Sequence, residues 1–442
     1  MRRVYNVFFA IFLAFSAPFY LWKMWRRGNW KARFLQRFGR YDSRIKQAVT
    51  NRQVLWFHAV SVGEVNICTQ LIKAIEPRAP ALTIVVSTTT STGMAELERK
   101  LPAHVLKVYY PIDLKRWVQR AFAILHPKAV VLVEAEIWPN FLWRAKAQHV
   151  PVFLVNARLS ERSFRGYRRF GRLFRPLFAG MAGVTCQNEE DRQRLIAVGC
   201  RPEVTRVVGN LKYDAARLPE QRLIDVPRLL AQLGVSADAP ILVGGSTHRG
   251  EEAILADIFL RLRNHIPGLF LILVPRHHER GREVGKELSA RGIRFVFRKD
   301  ITPDVSWSPG EVEALLVNVT GELRFYYEYA SAVFIGKSLT ARGGQNPIEP
   351  ALLAKPVVFG RNMDNFQAIS KALMDGGGAI TVNSPSDLEQ ALQRILSDRG
   401  FAEELGRNAQ RVVKQNLGSI ERTVDMIVQR LDDKGVYVVP DA

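Results

Sequence analysis

Apolar residues in this chain come in short, dense runs separated by stretches of helical spacing. Residues 54–57, 82–87, 105–109, 130–133, 152–155 and 184–186 are such runs. Between most of them apolar side chains recur every three or four positions, as in 65–75 (VNICTQLIKAI). A run without polar alternation reads as a strand covered on both faces, so this succession predicts a doubly wound parallel sheet. The pattern breaks at 207–214 (VVGNLKYD), and a polar stretch with Pro219 follows. A second series then begins, with strands expected at 241–243, 269–274, 295–297, 314–317, 332–335 and 357–359 and helices at 251–264 and 347–354 among others. The spacing from 387 to 433 is helical and long enough to return to the first series. The expected fold class is α/β: two doubly wound, Rossmann-like domains, 47–214 and 215–442, with a cleft between them.

Residues 1–46 stand apart. Residues 4–22 (VYNVFFAIFLAFSAPFYLW) form an apolar run close to the roughly 20 residues that a membrane-crossing helix needs. Asn6, Ser16 and Pro18 interrupt it, which leaves a shallow interfacial helix open as well. No small-residue cleavage site precedes a polar start, so the run reads as an uncleaved anchor. Eleven Lys/Arg against Asp42 alone fall within residues 1–46, out of a net charge of +21 for the whole chain. They are much denser after the apolar run than before it, which places the body on the cytoplasmic side. Cys68, Cys186 and Cys200 fit neither a disulfide framework nor a zinc site, in agreement with a reducing compartment. A second basic concentration, 156–178, sets seven arginines against Glu161 and carries Phe164, Tyr167, Phe170, Phe174 and Phe178 as an aromatic stripe. This is the pattern of a helix lying on an anionic membrane; the alternative is a stripe packed on the sheet with its arginines solvated. The charge comes with no nucleic-acid module, so nucleic acid is not an expected partner.

Chemistry is expected where strands give way to helices. In 56–64 (WFHAVSVGE) a strand ends in a turn and Glu64 falls on the first helical turn. Free N–H groups and the helix dipole favour an ionised acid there, so Glu64 is expected to be a carboxylate at neutral pH and a candidate general base. The plain alternative is that it only complements the helix terminus. The hydroxyl-rich turn 87–93 (STTTSTG) suits helix capping or a polar ligand. Glu134 and Glu136, in EAEIWPN, end another strand and are spaced to point to the same side. In the second series Ser246 and His248 (GGSTHRGEE), Pro275, Arg276 and His277 (PRHHER), Thr320, Gly321 and Glu322 (NVTGEL) and Asn346, Pro347, Ile348 and Glu349 (NPIE) all lie just beyond expected strands. Pro347 is expected at a first helical position. Ligands of open α/β sheets bind beyond the carboxyl ends of strands. Helix N-termini with arginine suit a phosphate and Glu349 suits ribose hydroxyls, which makes a nucleotide the natural occupant. The chain contains no GxGxxG, Walker A, Asp-x-Asp or His-Glu-x-x-His motif. Neither a metal nor a cofactor is therefore expected.

Taken together, HAVSVGE (58–64), the 88–93 turn, EAEIWPN (134–140), NARLS (156–160), QNEED (187–191), GNLKYD (209–214), VPRH (274–277), TGEL (320–323) and NPIE (346–349) closely resemble the Kdo transferase family. Its members move 3-deoxy-D-manno-octulosonic acid (Kdo) onto the lipid A precursor. The resemblance runs in order along nearly the whole chain, the N-terminal anchor included. It implies a GT-B fold and an inverting, metal-independent transfer from CMP-Kdo. By motif, Glu64 resembles the general base, and Glu134 and Lys212 match positions of transition-state stabilisation. Pro275-Arg276, Thr320-Gly321-Glu322 and Asn346 to Glu349 match the CMP-binding segments, with Ser246, His248, His277 and Lys337 beside them. Ser61, Gly63 and Arg158 are the acceptor-side candidates. Gly336-Lys337-Ser338 departs from the family pattern, with lysine where many members show a second glycine; the extra ammonium would add a phosphate or carboxylate contact. The implied partners are CMP-Kdo, the lipid A precursor and anionic lipids of the inner membrane, with the protein anchored on its cytoplasmic face. Two rival readings are another GT-B transferase that uses a UDP-sugar and a lipid-linked acceptor, and a non-catalytic membrane adaptor that has kept the fold.

Overall fold

The computed structural model describes residues 1–26, 33–134, 136–214 and 224–432. Arg27 and Lys31 of the basic segment, the side chain of Lys23, Pro219 and Asp433 lie outside the described residues. The chain forms two units, Met1–Ala215 with Asn416–Ala442, and Ala216–Gln415. Each unit is built on one seven-stranded sheet in which every pairing is parallel.

In the first unit the strands are β1 (Gln53–His58), β2 (Leu82–Thr88), β3 (Leu106–Tyr109), β4 (Pro127–Val133), β5 (Val152–Ala157), β6 (Gly183–Cys186) and β7 (Thr205–Val207), in the order β3-β2-β1-β4-β5-β6-β7. Burial of β1 explains its unbroken apolar run. Val54 and Trp56 enter the core on one face while Leu55 and Phe57 enter the core on the other. The winding direction reverses between β1 and β4, which makes the carboxyl ends of these two strands the switch point where open sheets hold ligands.

The second unit repeats the plan with β8 (Ile241–Thr247), β9 (Phe270–Pro275), β10 (Phe295–Phe297), β11 (Ala314–Leu316), β12 (Ala332–Ile335), β13 (Val357–Gly360) and β14 (Ala379–Val382), in the order β10-β11-β9-β8-β12-β13-β14. Its switch point lies between β8 and β12. The edge strands β7 and β14 were not legible as apolar runs, because Arg206, Val207 and Thr381 face solvent and leave no dense core pattern.

The 387–433 stretch is three helices. Pro385–Ser397 and Arg399–Gln415 belong to the second unit, and Ser419–Asp432 belongs to the first. This last helix packs Ile420, Val424, Ile427 and Leu431 into the apolar layer that also holds Val65, Cys68 and Leu71. Asp214 fixes its start, accepting the Gly418 and Ile420 N–H groups at 2.7 and 2.8 Å.

Two apolar features near the first sheet behave differently. Residues 156–178 are two helices, Glu161–Arg169 and Gly171–Phe178, and their aromatic stripe packs inward. Phe164, Tyr167 and Phe174 lie against the core, Phe178 is buried within it, and Phe170 alone of the five is exposed. The stripe therefore covers the sheet, and what these helices offer to the outside is arginine. Residues Arg2–Arg26 form a single helix that includes Pro18, and over Arg2–Trp22 it is long and apolar enough to cross a membrane. Tyr5, Asn6, Phe9, Leu13, Ser16 and Ala17 are half-buried at helical spacing, so one stripe of this helix lies against the first unit.

Candidate active site

Glu64 stands at the first switch point. Ser61 caps the helix Val62–Ile75, and Ser61 Oγ accepts the Glu64 N–H at 3.2 Å. In return the Glu64 carboxyl accepts from Val60 N–H at 2.8 Å and Ser61 N–H at 3.3 Å. This is a complete capping box, so the helix-terminus role of Glu64 is real. It is not the whole of it. The side chain is 7% exposed, and burial pushes its carboxyl from 4.5 up to about 7 against those two hydrogen bonds, with Glu134 and Glu136 adding repulsion. The expected carboxylate is thus only partly formed at neutral pH: desolvation, with two neighbouring acids adding to it, offsets the helix terminus. A carboxyl poised near neutrality is better matched to taking a proton than a strongly acidic one.

The surroundings are built from β4, β5 and the loop after β7. Glu134 ends β4 at φ 61, in the left-handed region, with its N–H held by the Val155 carbonyl at 2.9 Å. Its carboxylate lies 3.9 Å from Lys212 Nζ. Glu136 accepts from Trp138 Nε1 at 2.8 Å; burial and Glu134 raise its carboxyl while that bond lowers it. Ala135, between the two, lies outside the described residues. Lys212 is placed by a network the sequence reading did not assign to the site. The buried Asn156, at φ 54, accepts Leu211 N–H, Gln187 holds Asn156 O and Asn210, and Asn210 Oδ1 accepts Lys212 N–H. The signal was present in NARLS, QNEED and GNLKYD, as three amides at strand ends.

Around the Glu64 turn, Ser61 is exposed and Gly63 half-buried. A side chain at Gly63 would meet only Ser61 Oγ, at 3.8 Å, so its smallness leaves open space beside Glu64. Arg158 is exposed beyond β5. The 87–93 turn acts by holding: Thr90 caps the helix Ser91–Lys100, and Thr88 and Thr90 both donate to Val60 O, pinning the loop that presents Glu64. His58 is fully buried, stacked on Tyr110 at 3.9 Å and pushed down to about 3 by burial, hence neutral and structural. A cavity of about 440 Å³ in the first unit opens at the amino ends of β5 and β6, lined by Val150, Val152 and Ala182, at the opposite strand ends from Glu64.

The second switch point gathers part of the donor set. Ser246 at φ 53 and Lys337 at φ 56 sit where β8 and β12 end side by side. At Gly336 a Cβ would fall 2.3 Å from Ser246 O, so only glycine permits this approach. What fastens the two loops is Glu251, a residue the sequence reading missed. Its fully buried carboxylate accepts N–H groups from His248 (2.8 Å), Lys337 (2.7 Å), Ser338 (3.0 Å), Leu339 (3.0 Å) and Thr340 (3.4 Å). Glu252 beside it is also buried, accepting from Thr247 and ion-paired with Arg280 at 2.7 Å. Two successive acids opening a helix behind a glycine were the overlooked sign.

Pro275 ends β9; Arg276 and His277 follow it exposed, with Arg276 N–H bound to Thr247 O. Thr320 and Gly321 are exposed. Glu322 is already engaged by Arg298 at 2.9 Å and by Tyr326 OH at 2.7 Å, so its geometry is that of a buttress. Pro347 is the residue just before the helix Ile348–Leu352, not its first member. Asn346 caps that turn through Ile348 N–H and touches Glu349, whose carboxyl burial raises while Arg324 opposes.

A family model described as 3-Deoxy-D-manno-octulosonic-acid transferase (kdotransferase) matches residues 32–215. The 3-deoxy-D-manno-octulosonic acid transferase of Haemophilus influenzae is 30% identical over 407 residues, 91% of this chain and 92% of its own length. That of Bordetella pertussis is 32% identical over 423 residues, 92% and 95% of the two chains. Among solved structures, UDP-GlcNAc 2-epimerase from Neisseria meningitidis bound to UDP-GlcNAc matches at a TM-score of 0.57 and 14% identity, covering 85% of this chain and all of its own. That likeness is one of fold, two Rossmann-like units of GT-B type.

Proposed function

Because the chain belongs to the Kdo transferase family, a family of glycosyltransferases, we propose that it moves Kdo from CMP-Kdo onto the lipid A precursor, lipid IVA, in lipopolysaccharide core synthesis. Transfer inverts the anomeric centre and needs no metal. The observation that carries the chemistry is the buried Glu64 carboxyl, held near neutrality at a switch point beside Glu134, Glu136 and Lys212. Glu64 takes the proton from an acceptor hydroxyl as that oxygen attacks the anomeric carbon. The transition state is oxocarbenium-like, and CMP leaves as an anion. Lys212, or Arg276 beside a fixed loop of backbone amides, offsets the charge that develops. CMP is held by the loops around Ser246, His248, Lys337 and Asn346 to Glu349.

The acceptor is a membrane lipid, and two features support that placement: the apolar N-terminal helix and the exposed arginines of 161–175, which suit anionic headgroups and substrate phosphates. The cytoplasmic face of the inner membrane is the location this reading requires. The test is mass spectrometry of the lipid after incubation with CMP-Kdo and lipid IVA, with and without EDTA. Product heavier by whole Kdo residues, formed equally in EDTA, is expected. Turnover only with a UDP-sugar, or none in wild type while the protein binds membranes, would overturn the proposal.

A further inference from the structure

A helix that merely tethers a protein to a membrane has no need to fit the protein. The helix Arg2–Arg26 does fit. Tyr5 OH donates to Asp113 Oδ2 at 2.8 Å, and the Asn6 and Asn140 side-chain amides exchange hydrogen bonds at 3.0 and 3.3 Å. Both partners are buried in the first unit, Asp113 to 1% exposure. They also start the helix Pro139–Ala147: Trp138 supplies no side-chain cap, and Asp113 does so from a distance, accepting Asn140 and Phe141 N–H at 2.9 Å each. Around this polar clasp, Tyr5 meets Trp143 edge-on at 5.7 Å, Phe9 meets Trp138 at 6.3 Å, and Arg2 stacks on Trp143 at 5.2 Å.

The N-terminal part of the helix rests on the first unit: Arg2 touches Trp143, and Tyr5, Asn6, Phe9, Leu13, Ser16 and Ala17 are half-buried, while Phe8, Phe12, Phe15 and Phe19 are turned outward on one face. That is the bearing of a helix seated in a membrane surface. The inward face leads to the site, because the Trp138 that receives Phe9 donates its indole N–H to Glu136, one of the two carboxylates that face Glu64.

We propose that the N-terminal helix is a positioning element of the acceptor site, in which Tyr5 and Asn6 clasp the start of helix Pro139–Ala147 and Phe9 fixes Trp138, and through it Glu136 beside Glu64. This deepens the membrane-lipid reading above and rests on it for its substrate. Tyr5, Asn6 and Phe9 are positioning residues, and the role differs from anchoring in what survives substitution.

The experiment replaces the three in the full chain by Tyr5→Phe, Asn6→Leu and Phe9→Leu, which keeps the helix apolar. The variant is expected to remain in the membrane fraction with the KM for CMP-Kdo unchanged. Its kcat on the lipid acceptor is expected to fall at least tenfold, with the inflection of its pH–rate profile displaced. The groups facing Glu64 in that profile are Glu134, Glu136 and Cys68, with Lys212 on Glu134. Wild-type kcat and profile would overturn the proposal. Should the triple variant not fold, Trp138→Phe carries the test, since it keeps a ring against Phe9 and loses only the bond to Glu136. An unmoved profile there is equally fatal. An Asn6→Cys, Asn140→Cys pair, oxidised in membranes, reads the clasp without any substrate: a cross-link is expected, and its absence overturns the clasp even if wild type proves to use another donor.

Discussion

Replacing Glu64 by glutamine should separate its two roles by moving activity and stability in opposite directions. Folding lifts its carboxyl from 4.5 to about 7, so the folded state disfavours the carboxylate by about 3 kcal/mol. The sign follows from which state ionises first. Below pH 4.5 both states are protonated and nothing is lost. Between pH 4.5 and about 7 the unfolded chain ionises while the folded one does not, so stability drains away, and above about pH 7 the whole loss is in place. Glutamine carries no such charge, but it costs about 1 kcal/mol for the weakened bond from Ser61 N–H. The variant should then be roughly 2 kcal/mol more stable than wild type at pH 8, about 4–8 °C in Tm for a unit of this size. At pH 4.5 it should be equal or slightly worse. Turnover should fall about 10²–10⁴-fold, the usual worth of a positioned base. Wild-type rate should climb through pH 7 as Glu64 deprotonates and level off above it. The assays are thermal melts at the two pH values and initial rates of Kdo transfer. If Glu64→Gln melts lower than wild type at both pH values and keeps its rate within a few-fold, Glu64 is a cap and nothing more.

Two other outcomes test the donor loops. Glu251→Ala strands five backbone N–H groups around a fully buried position, a loss of about 3–5 kcal/mol. CMP binding measured by calorimetry should vanish and the melting temperature should drop; wild-type CMP affinity would refute the fastening role. Lys337→Gly relieves a left-handed residue, stabilising by about 1 kcal/mol, while removing an ammonium from the loop. The KM for CMP-Kdo should rise roughly tenfold, the scale of one charge-assisted contact, and an unchanged KM would show that the side chain plays no part in donor binding.

The reading of sequence alone went furthest where one local pattern suffices. The apolar run of β1 reads as a strand covered on both faces, and the helical spacing after it puts Glu64 on a first helical turn, although the turn expected at 61–63 is the cap and start of that helix. It stopped where remote residues decide. The ionisation of Glu64 was misjudged because burial, which only the fold supplies, lifts its carboxyl, and the acids that add to this arrive from the end of β4, some 70 residues later. The aromatic stripe at 164–178 was periodic in either reading, and only the sheet beneath it shows that the rings face inward. Asn6 looked like a flaw in an apolar helix because its partner, Asn140, is 134 residues away. Lys337 stood out against the glycine that the resemblance implies, and its φ of 56 is one that glycine adopts without strain.

The helix Ser419–Asp432 lies against the helix that carries Glu64, yet it is made only after the second unit. About 200 residues of a different unit leave the ribosome between the two, which at ordinary elongation rates is roughly 10–40 s. Through that interval Val65, Cys68 and Leu71 wait without their cover. A nascent chain therefore carries Glu64 on an unbraced helix until the whole second unit has been made.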